Sequence, residues 1–223
     1  MKRVIINFHG LGTLPAHVDA GEANVWCADP ALYADLLDET REEAAAHGLE
    51  PLITFDDGNL SDVVIGLKPL ANRGMRAIFF PCAARIGQHG YLDRAELGEL
   101  VAAGMEIGSH GWSHTDWRRA SRQVMRQEIT DAKDRIEQAA GAPVTTAAIP
   151  FGSYGRRVLK NAAVFRTVFT SDAALAQPDA WLQPRFSYVR SWDRGSVQRA
   201  IAESGRPARK LRQNLAMTFK RFR

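Results

Sequence analysis

Two adjacent carboxylates, Asp56-Asp57, and two imidazoles four residues apart, His110 and His114, are the side chains of this sequence best suited to chemistry. One carboxylate and two imidazoles offer the mixed oxygen and nitrogen donors of a catalytic divalent-metal site, and three protein ligands leave coordination positions open for water. A four-residue His spacing faces one metal when it lies on a helix. Gly111 and a preceding strand argue against a helix here, so this pair must meet on a loop. The other aspartate then has a separate use. A metal ligand must be ionised and aimed at the ion, whereas a general base sits beside the activated water without coordinating. Neighbouring residues at a strand end can divide those tasks because their side chains leave the backbone in different directions. Gly58 permits a tight exit. Each piece alone is weak: Asp56-Asp57-Gly58-Asn59 is also good turn chemistry, Asn59 or Ser61 could cap a helix, and a lone His pair is more often structural. Their coincidence at one place carries the reading.

That coincidence depends on the elements that deliver them. Short β-rich runs alternate with longer segments of helical periodicity, the pattern of parallel strands joined by crossover helices. Strands are expected at Val4–Phe8, Leu52–Phe55, Ala77–Phe80, Glu106–Gly108, Thr145–Ile149, Thr167–Thr170 and Ser187–Val189. Helices are expected from Asp29-Pro30 to Gly48, from Asp93 to Gly104, and after Ser121, where Met125, Ile129, Ala132 and Ile136 form one apolar stripe; a shorter one is expected over Arg156–Ala163. A barrel or an open doubly wound sheet would fit, and in both the chemistry lies at the carboxyl ends of the strands. Reading only those positions gives His9-Gly10, Asp56-Asp57-Gly58, His110 to His114, Pro150-Phe151-Gly152 and Ser171-Asp172. The remaining histidines, His17, His47 and His89, fall in loops or beside a helix end and read as solvated or capping.

The composition bounds the rest. A chain of 223 residues with 45% apolar and 24% charged residues suits one globular domain and disfavours disorder. Cys27 and Cys82 form no Cys-x-x-Cys pair and read as small buried apolar residues. The apolar run after Met1-Lys2-Arg3 is too short for a signal-peptide core, and no stretch approaches a membrane span, so a cytoplasmic protein is expected. The net charge of +4 is uneven: positions 206–223 hold seven cations and no acid, which leaves the other residues net negative. The expected organisation is a single catalytic domain over 1–205 and a basic amphipathic tail over 206–223.

Thr54-Phe55-Asp56-Asp57-Gly58, then Ser109-His110-Gly111-Trp112-Ser113-His114, then Ile149-Pro150-Phe151-Gly152 resemble, in order and spacing, the three motifs of the polysaccharide deacetylase family, the carbohydrate esterases with NodB homology. The resemblance covers roughly half the chain. It implies an α/β fold, a distorted (β/α) barrel of about seven parallel strands, and hydrolysis of an N-acetyl group on an acetamido sugar with a divalent metal, zinc first and cobalt or nickel as alternatives. By motif, Asp56 would be the general base, Asp57, His110 and His114 the metal ligands, and the backbone N–H near Phe151 an oxyanion donor. Trp112, Pro150 and Arg185 are the substrate-binding candidates. Two departures stand out. The family's Arg shortly before the Pro is replaced by Ala147-Ala148-Ile149; Arg185 or Arg190 could stand in, although an Arg at a barrel rim is more commonly a solvated charge. The family's late histidine, its general acid, is also missing, since no histidine follows His114. His9 could fill that role, because the first strand of a closed barrel lies beside the last, and members that deacetylate poly-N-acetylglucosamine show a similar early histidine.

Two further function classes stay open. The same site could serve a deformylase or deacetylase of a lipid-linked sugar, or a hydrolase of a non-sugar amide, at the cytoplasmic membrane face; or the chain could be a non-catalytic carbohydrate-binding relative. Leu211, Leu215, Phe219 and Phe222 recur among basic residues as in a helix lying on an anionic membrane, and a helix packed on the barrel or a disordered end fits equally. Trp26, Trp117, Trp181 and Tyr154 read as core or loop packing. Nucleic acid is not expected as a partner, because no recognition motif accompanies the charge.

Overall fold

Along β1 (Lys2–Phe8) successive side chains leave on opposite faces: Val4, Ile6 and Phe8 join a large apolar cluster beneath the helices, whereas Ile5 belongs to a small second cluster. The same alternation sends Ile53 and Phe55 of β2 (Leu49–Asp57) outward, and Ile78 and Phe80 of β3 (Ala77–Pro81) inward with Ala148 and Phe169. The small cluster is therefore the interior of a barrel, and the large one is the layer between barrel and helices. The computed structural model describes residues 1–18 and 20–223.

With β4 (Glu106–Ile107), β5 (Thr146–Ala148), β6 (Thr167–Thr170), β7 (Leu182–Pro184) and β8 (Phe186–Ser187), the strands form a five-stranded sheet ordered β4-β3-β2-β1-β8 and a three-stranded sheet ordered β5-β6-β7. Every pairing is parallel, and a bridge between Ser109 and Ala147 joins the two sheets. β7 and β8 flank a single residue, Arg185. The segment pairs first with β6 and then with β1, so it closes the ring as one strand position and gives seven positions in all. This differs from the expected strand at Ser187–Val189: the pairing begins earlier, at Leu182, and runs through Pro184, so that it carries Arg185 into the barrel.

The helices begin and end where their capping residues demand. Asp29 accepts the Ala31 N–H at 2.8 Å ahead of α1 (Pro30–His47), and Gly48 closes it at φ 61°. After α2 (Lys68–Asn72), Asp93 and Glu96 form a capping box at α3 (Arg94–Ala102). Ser121 accepts the Val124 N–H ahead of α4 (Arg122–Arg126), which runs through a wide π turn over Gln127–Asp131 into α5 (Ala132–Ala140). The Met125, Ile129, Ala132 and Ile136 stripe is buried as its spacing requires. α6 (Arg156–Asn161) is shorter than expected and passes into a 3-10 turn, and α7 (Ser196–Gly205) and α8 (Pro207–Phe222) follow. Cys27 and Cys82 are buried and unpaired. No helix among the described residues is long and apolar enough to cross a membrane.

A cavity of about 850 Å³ opens at the amino ends of the strands among Arg3, Glu50, Arg76, Glu106 and Arg166. It lies at the opposite end of the barrel from the histidine and carboxylate cluster, where these folds place structural contacts rather than chemistry.

Candidate metal and catalytic site

At the carboxyl ends of β1, β2 and β4, five of the residues read from sequence meet: His9, Asp56, Asp57, His110 and His114. One donor atom each from Asp57, His110 and His114 lies within 4.8 Å of the other two. The alternation of β2 would send Asp57 out toward the helices, away from Asp56. Its left-handed backbone, φ 76°, breaks the alternation, and Gly58 continues the turn at φ 75°. His114 and Phe151 are also non-glycine residues at positive φ, 58° and 59°. Such conformations cost of order 1–3 kcal/mol each and persist where the surroundings over-determine them. Here they cluster on one rim.

The donor set fits a divalent metal. The His110 Nδ1 lies 2.9 Å from the Ala148 carbonyl, an acceptor only, so Nδ1 carries the proton and Nε2 presents its lone pair toward Asp57 Oδ1, 4.0 Å away. His114 Nε2 lies 3.6 Å from the same oxygen. Burial, and then His110, push the His114 imidazole below its ordinary pKa and keep it neutral. Burial alone would raise the Asp57 carboxyl, but the facing imidazoles of His110, His114 and His9 and the Arg85 guanidinium hold it below the usual range and ionised. Arg85 donates from Nη1 to Asp57 Oδ1 at 2.9 Å while its guanidinium lies 5.0 Å from the Tyr91 ring centre. Nothing in the sequence singles Arg85 out, since it follows β3 in a short 3-10 turn with no motif.

Asp56 is the best-held residue of the site. Arg185 donates from Nη1 to Oδ1 and from Nη2 to Oδ2, both at 2.7 Å. Asn7 donates from Nδ2 to Oδ2 at 3.0 Å, and its Oδ1 accepts from Thr54 and Arg185 in turn. The network fills the barrel below the Asp57, His110 and His114 donors. Burial pushes the Asp56 carboxyl up, and Arg185, His110 and His9 outweigh it, holding the group well below the usual carboxylate range. Arg185 itself is completely buried, with its guanidinium over the rings of Phe80 and Phe169 at 5.6 and 5.9 Å. Both rings belong to the interior cluster that includes Ala148. A small residue at 148 thus leaves room for a guanidinium that enters from the β7–β8 break instead of from the strand before Pro150. As a substrate contact Arg185 is corrected: its fork is spent on Asp56 and none of it reaches the surface. Arg190 is exposed.

The loop that carries His114 is held by a residue the sequence did not reveal. Glu128, 1% exposed on the π turn, accepts from the backbone N–H groups of Trp112 and Ser113 at 2.9 and 3.1 Å. It also accepts from the Ser113 hydroxyl, the Thr115 hydroxyl and the Trp117 indole N–H. One buried carboxylate thereby ties down the loop on both sides of His114. Glu128→Gln removes acceptor capacity while keeping the shape, and is expected to weaken divalent-metal affinity roughly tenfold, as mutations behind metal ligands commonly do. Unchanged affinity in a metal titration of that variant would exclude this role.

The remaining candidates divide clearly. His9 lies with Nε2 3.8 Å from Asp56 Oδ2, its side chain 18% exposed, and burial lowers its pKa against the pull of Asp56 and Asp57. The parallel register of β1 with β2, Phe8 beside Phe55, is what brings it there. Phe151 is 66% exposed, with its ring 4.5 Å from that of His114. Pro150, read as a substrate contact, is buried, so the member of that turn open to a ligand is Phe151. Trp112 is half-buried and packs partly on the outer core, whereas Trp26, Trp117 and Tyr154 are core residues.

Three comparisons bear on this geometry. Over 107 residues the chain is 31% identical to the peptidoglycan-N-acetylglucosamine deacetylase PgdA of Listeria monocytogenes, a match spanning 48% of this chain and 22% of that protein. The chain's matches span 40%, 22% and 26% of the length of three curated relatives. The fold superposes on the Streptococcus pyogenes deacetylase PplD with a TM-score of 0.77 at 18% identity, covering 90% of this chain and 98% of that one. It superposes on IcaB of Ammonifex degensii with a TM-score of 0.69 at 19% identity, covering 89% and 95%. The family model described as polysaccharide deacetylase matches residues 34–166, more than half the sequence and the span that holds Asp56, Asp57, His110, His114 and the Pro150–Gly152 turn. The chain belongs to the polysaccharide deacetylase family.

Proposed function

We propose that this chain is a metal-dependent amidohydrolase that removes the N-acetyl group of an acetamido sugar. The observation that carries the reading is an ionised Asp56, clamped by Arg185 and placed beside, but outside, a three-donor cluster of Asp57, His110 and His114. A carbohydrate-binding relative has no use for both a held base and a ligand set. The name of the Listeria relative, a deacetylase of peptidoglycan N-acetylglucosamine, supports the substrate class.

A divalent cation held by Asp57, His110 and His114, with zinc suited to that donor set, would supply Lewis-acid polarisation of the acetamide carbonyl and acidify a water. Asp56 Oδ2 faces that space and accepts the proton of the attacking water. Arg185 makes Asp56 a weak base that is ionised throughout the neutral range, which suits a water already acidified. The backbone N–H near Phe151 is the donor for the developing oxyanion. His9 Nε2, within 4 Å of Asp56 Oδ2, takes up the proton that Asp56 accepted from the water and passes it to the departing nitrogen, which restores both side chains and spares the step an amine anion as leaving group.

Two experiments test this. Acetate and formate release is measured from a panel of free, nucleotide-linked, lipid-linked and polymeric acetamido or formamido sugars. The reading expects acetate from at least one class; formate alone, or no release from any, contradicts it. His9→Ala is expected to lower kcat by about 10²-fold or more with metal affinity unchanged. Unaltered turnover in that variant removes the general-acid assignment alone.

A further inference from the structure

α8 packs on the barrel with the wrong face inward. Arg209, Gln213, Met217 and Lys220 are half-buried toward the domain. Gln213 donates from Nε2 to the Ala173 carbonyl at 2.6 Å, and Lys220 donates from Nζ to Asp172 Oδ1 at 2.5 Å. Arg209 pairs with Glu203, and Arg223 donates from Nε to the Tyr154 carbonyl. Leu211, Leu215, Phe219 and Phe222 repeat the same spacing two residues out of phase, about 200° round the helix. They are 62%, 61%, 69% and 78% exposed. A helix that only completes its own domain turns its Leu/Phe stripe to the core. This one is anchored by polar contacts and presents four large apolar side chains to the outside, a contiguous patch of the kind that marks an interaction surface.

The charges around the stripe say what covers it. At 100° per residue, Arg212 lies about 20° beyond one edge of the stripe, and Arg221 and then Lys210 lie about 80° and 100° beyond the other. Residues 206–223 contain seven cations and no acid. A second copy of the chain would bring two such sets face to face. An apolar stripe bordered on both sides by cations matches the boundary between acyl chains and anionic headgroups. We infer that α8 is an interfacial helix that docks this domain on an anionic lipid surface.

Position gives the docking a consequence, which rests on the proposed deacetylase function. Lys220 also reaches the Gly152 carbonyl, on the turn that carries Phe151, at 3.5 Å. A helix is about 10 Å across, so the catalytic rim would lie roughly that far from the lipid. The substrate class favoured is then an acetamido sugar presented on a membrane.

The test is flotation of the full chain with phosphatidylcholine vesicles, with and without phosphatidylglycerol. Binding is expected to require the anionic lipid and to weaken as salt rises. Leu215→Glu/Phe219→Glu is expected to lower the partition coefficient at least tenfold while hydrolysis of a soluble acetamido sugar is unchanged. Lys210→Glu/Arg212→Glu/Arg221→Glu, which leaves the stripe alone, should show a similar loss and keeps the test decisive if the first variant misfolds. No flotation with anionic vesicles, equal flotation of the variants, or a dimer that does not float and that Leu215→Glu dissociates would each overturn the inference. Vesicle binding is read without turnover, so failure here and failure of the deacetylase reading are separate results.

Discussion

Asp56→Asn is expected to remove acetate release almost entirely, by about 10²–10⁴-fold in kcat, the range ascribed to a positioned general base, with divalent-metal affinity within a few-fold of the unaltered chain. The split follows from geometry. Asp56 contacts His9 and Arg185 and lies outside the set of three donors that close on one another, whereas Asp57 lies within it. The amide keeps the size of the carboxylate and can still accept one of the two Arg185 bonds, but it cannot take a proton from water. A variant that binds metal and still turns over would show that another group is the base. One that loses metal as well would show that Asp56 belongs to the ligand set.

Arg185→Met carries the second large effect, on stability as well as rate. The substitution leaves Asp56 as a buried carboxylate with only Asn7 donating to it, and breaking one side of a buried pair typically costs about 3–5 kcal/mol. Asp56 must then take up a proton or draw in water, and either change spoils it as a base. The expected result is a large fall in the denaturation midpoint together with kcat at least 10²-fold lower. Removing both partners separates position from mere folding: Asp56→Asn/Arg185→Met should be less destabilised than the sum of the single variants, because no unpaired charge remains. Arg185→Lys restores a charge without the two-pronged contact and should recover stability more than activity. Full activity in Arg185→Met would mean that the guanidinium serves the fold alone. The sign of the pH effect is set by the same contact. Asp56 is held below its unfolded pKa, so the stability it contributes is present above the ordinary carboxylate range and is lost as pH falls through the depressed value.

The barrel was legible because its signals are local. Period-two runs, an Asp-Pro start and a Gly stop on α1, and a capping box at α3 each specify an element from a few adjacent residues. The proposed ligand set was legible because Asp57 and His110 lie at or just after strand ends, where the parallel fold gathers them, and His114 lies on the same loop as His110. What stayed open or escaped depends on long-range contact. Arg185 was only one of two arginines offered for the missing motif Arg, since it lies 129 positions from Asp56, in a two-part strand broken around it, and outside the span that the family model matches. His9 also lies outside that span, and it was found only because a closed barrel puts the first strand beside the last. Glu128 looks like any charged helix residue; a π turn rotates it beneath the His114 loop, and no periodicity encodes that rotation. Phe151 rather than Pro150 is open to a ligand because burial at a rim turns on one left-handed residue.

The most direct test of a metal-dependent site is one titration series on one preparation. The chain is stripped with a chelator, then titrated with Zn²⁺ while bound metal and acetate release from an acetamido sugar are followed together, beside His114→Ala. The expected result is a single equivalent of metal, activity that returns in step with it, and loss of both in His114→Ala. Acetate release that persists after chelation, or metal uptake that His114→Ala leaves unchanged, would contradict the account.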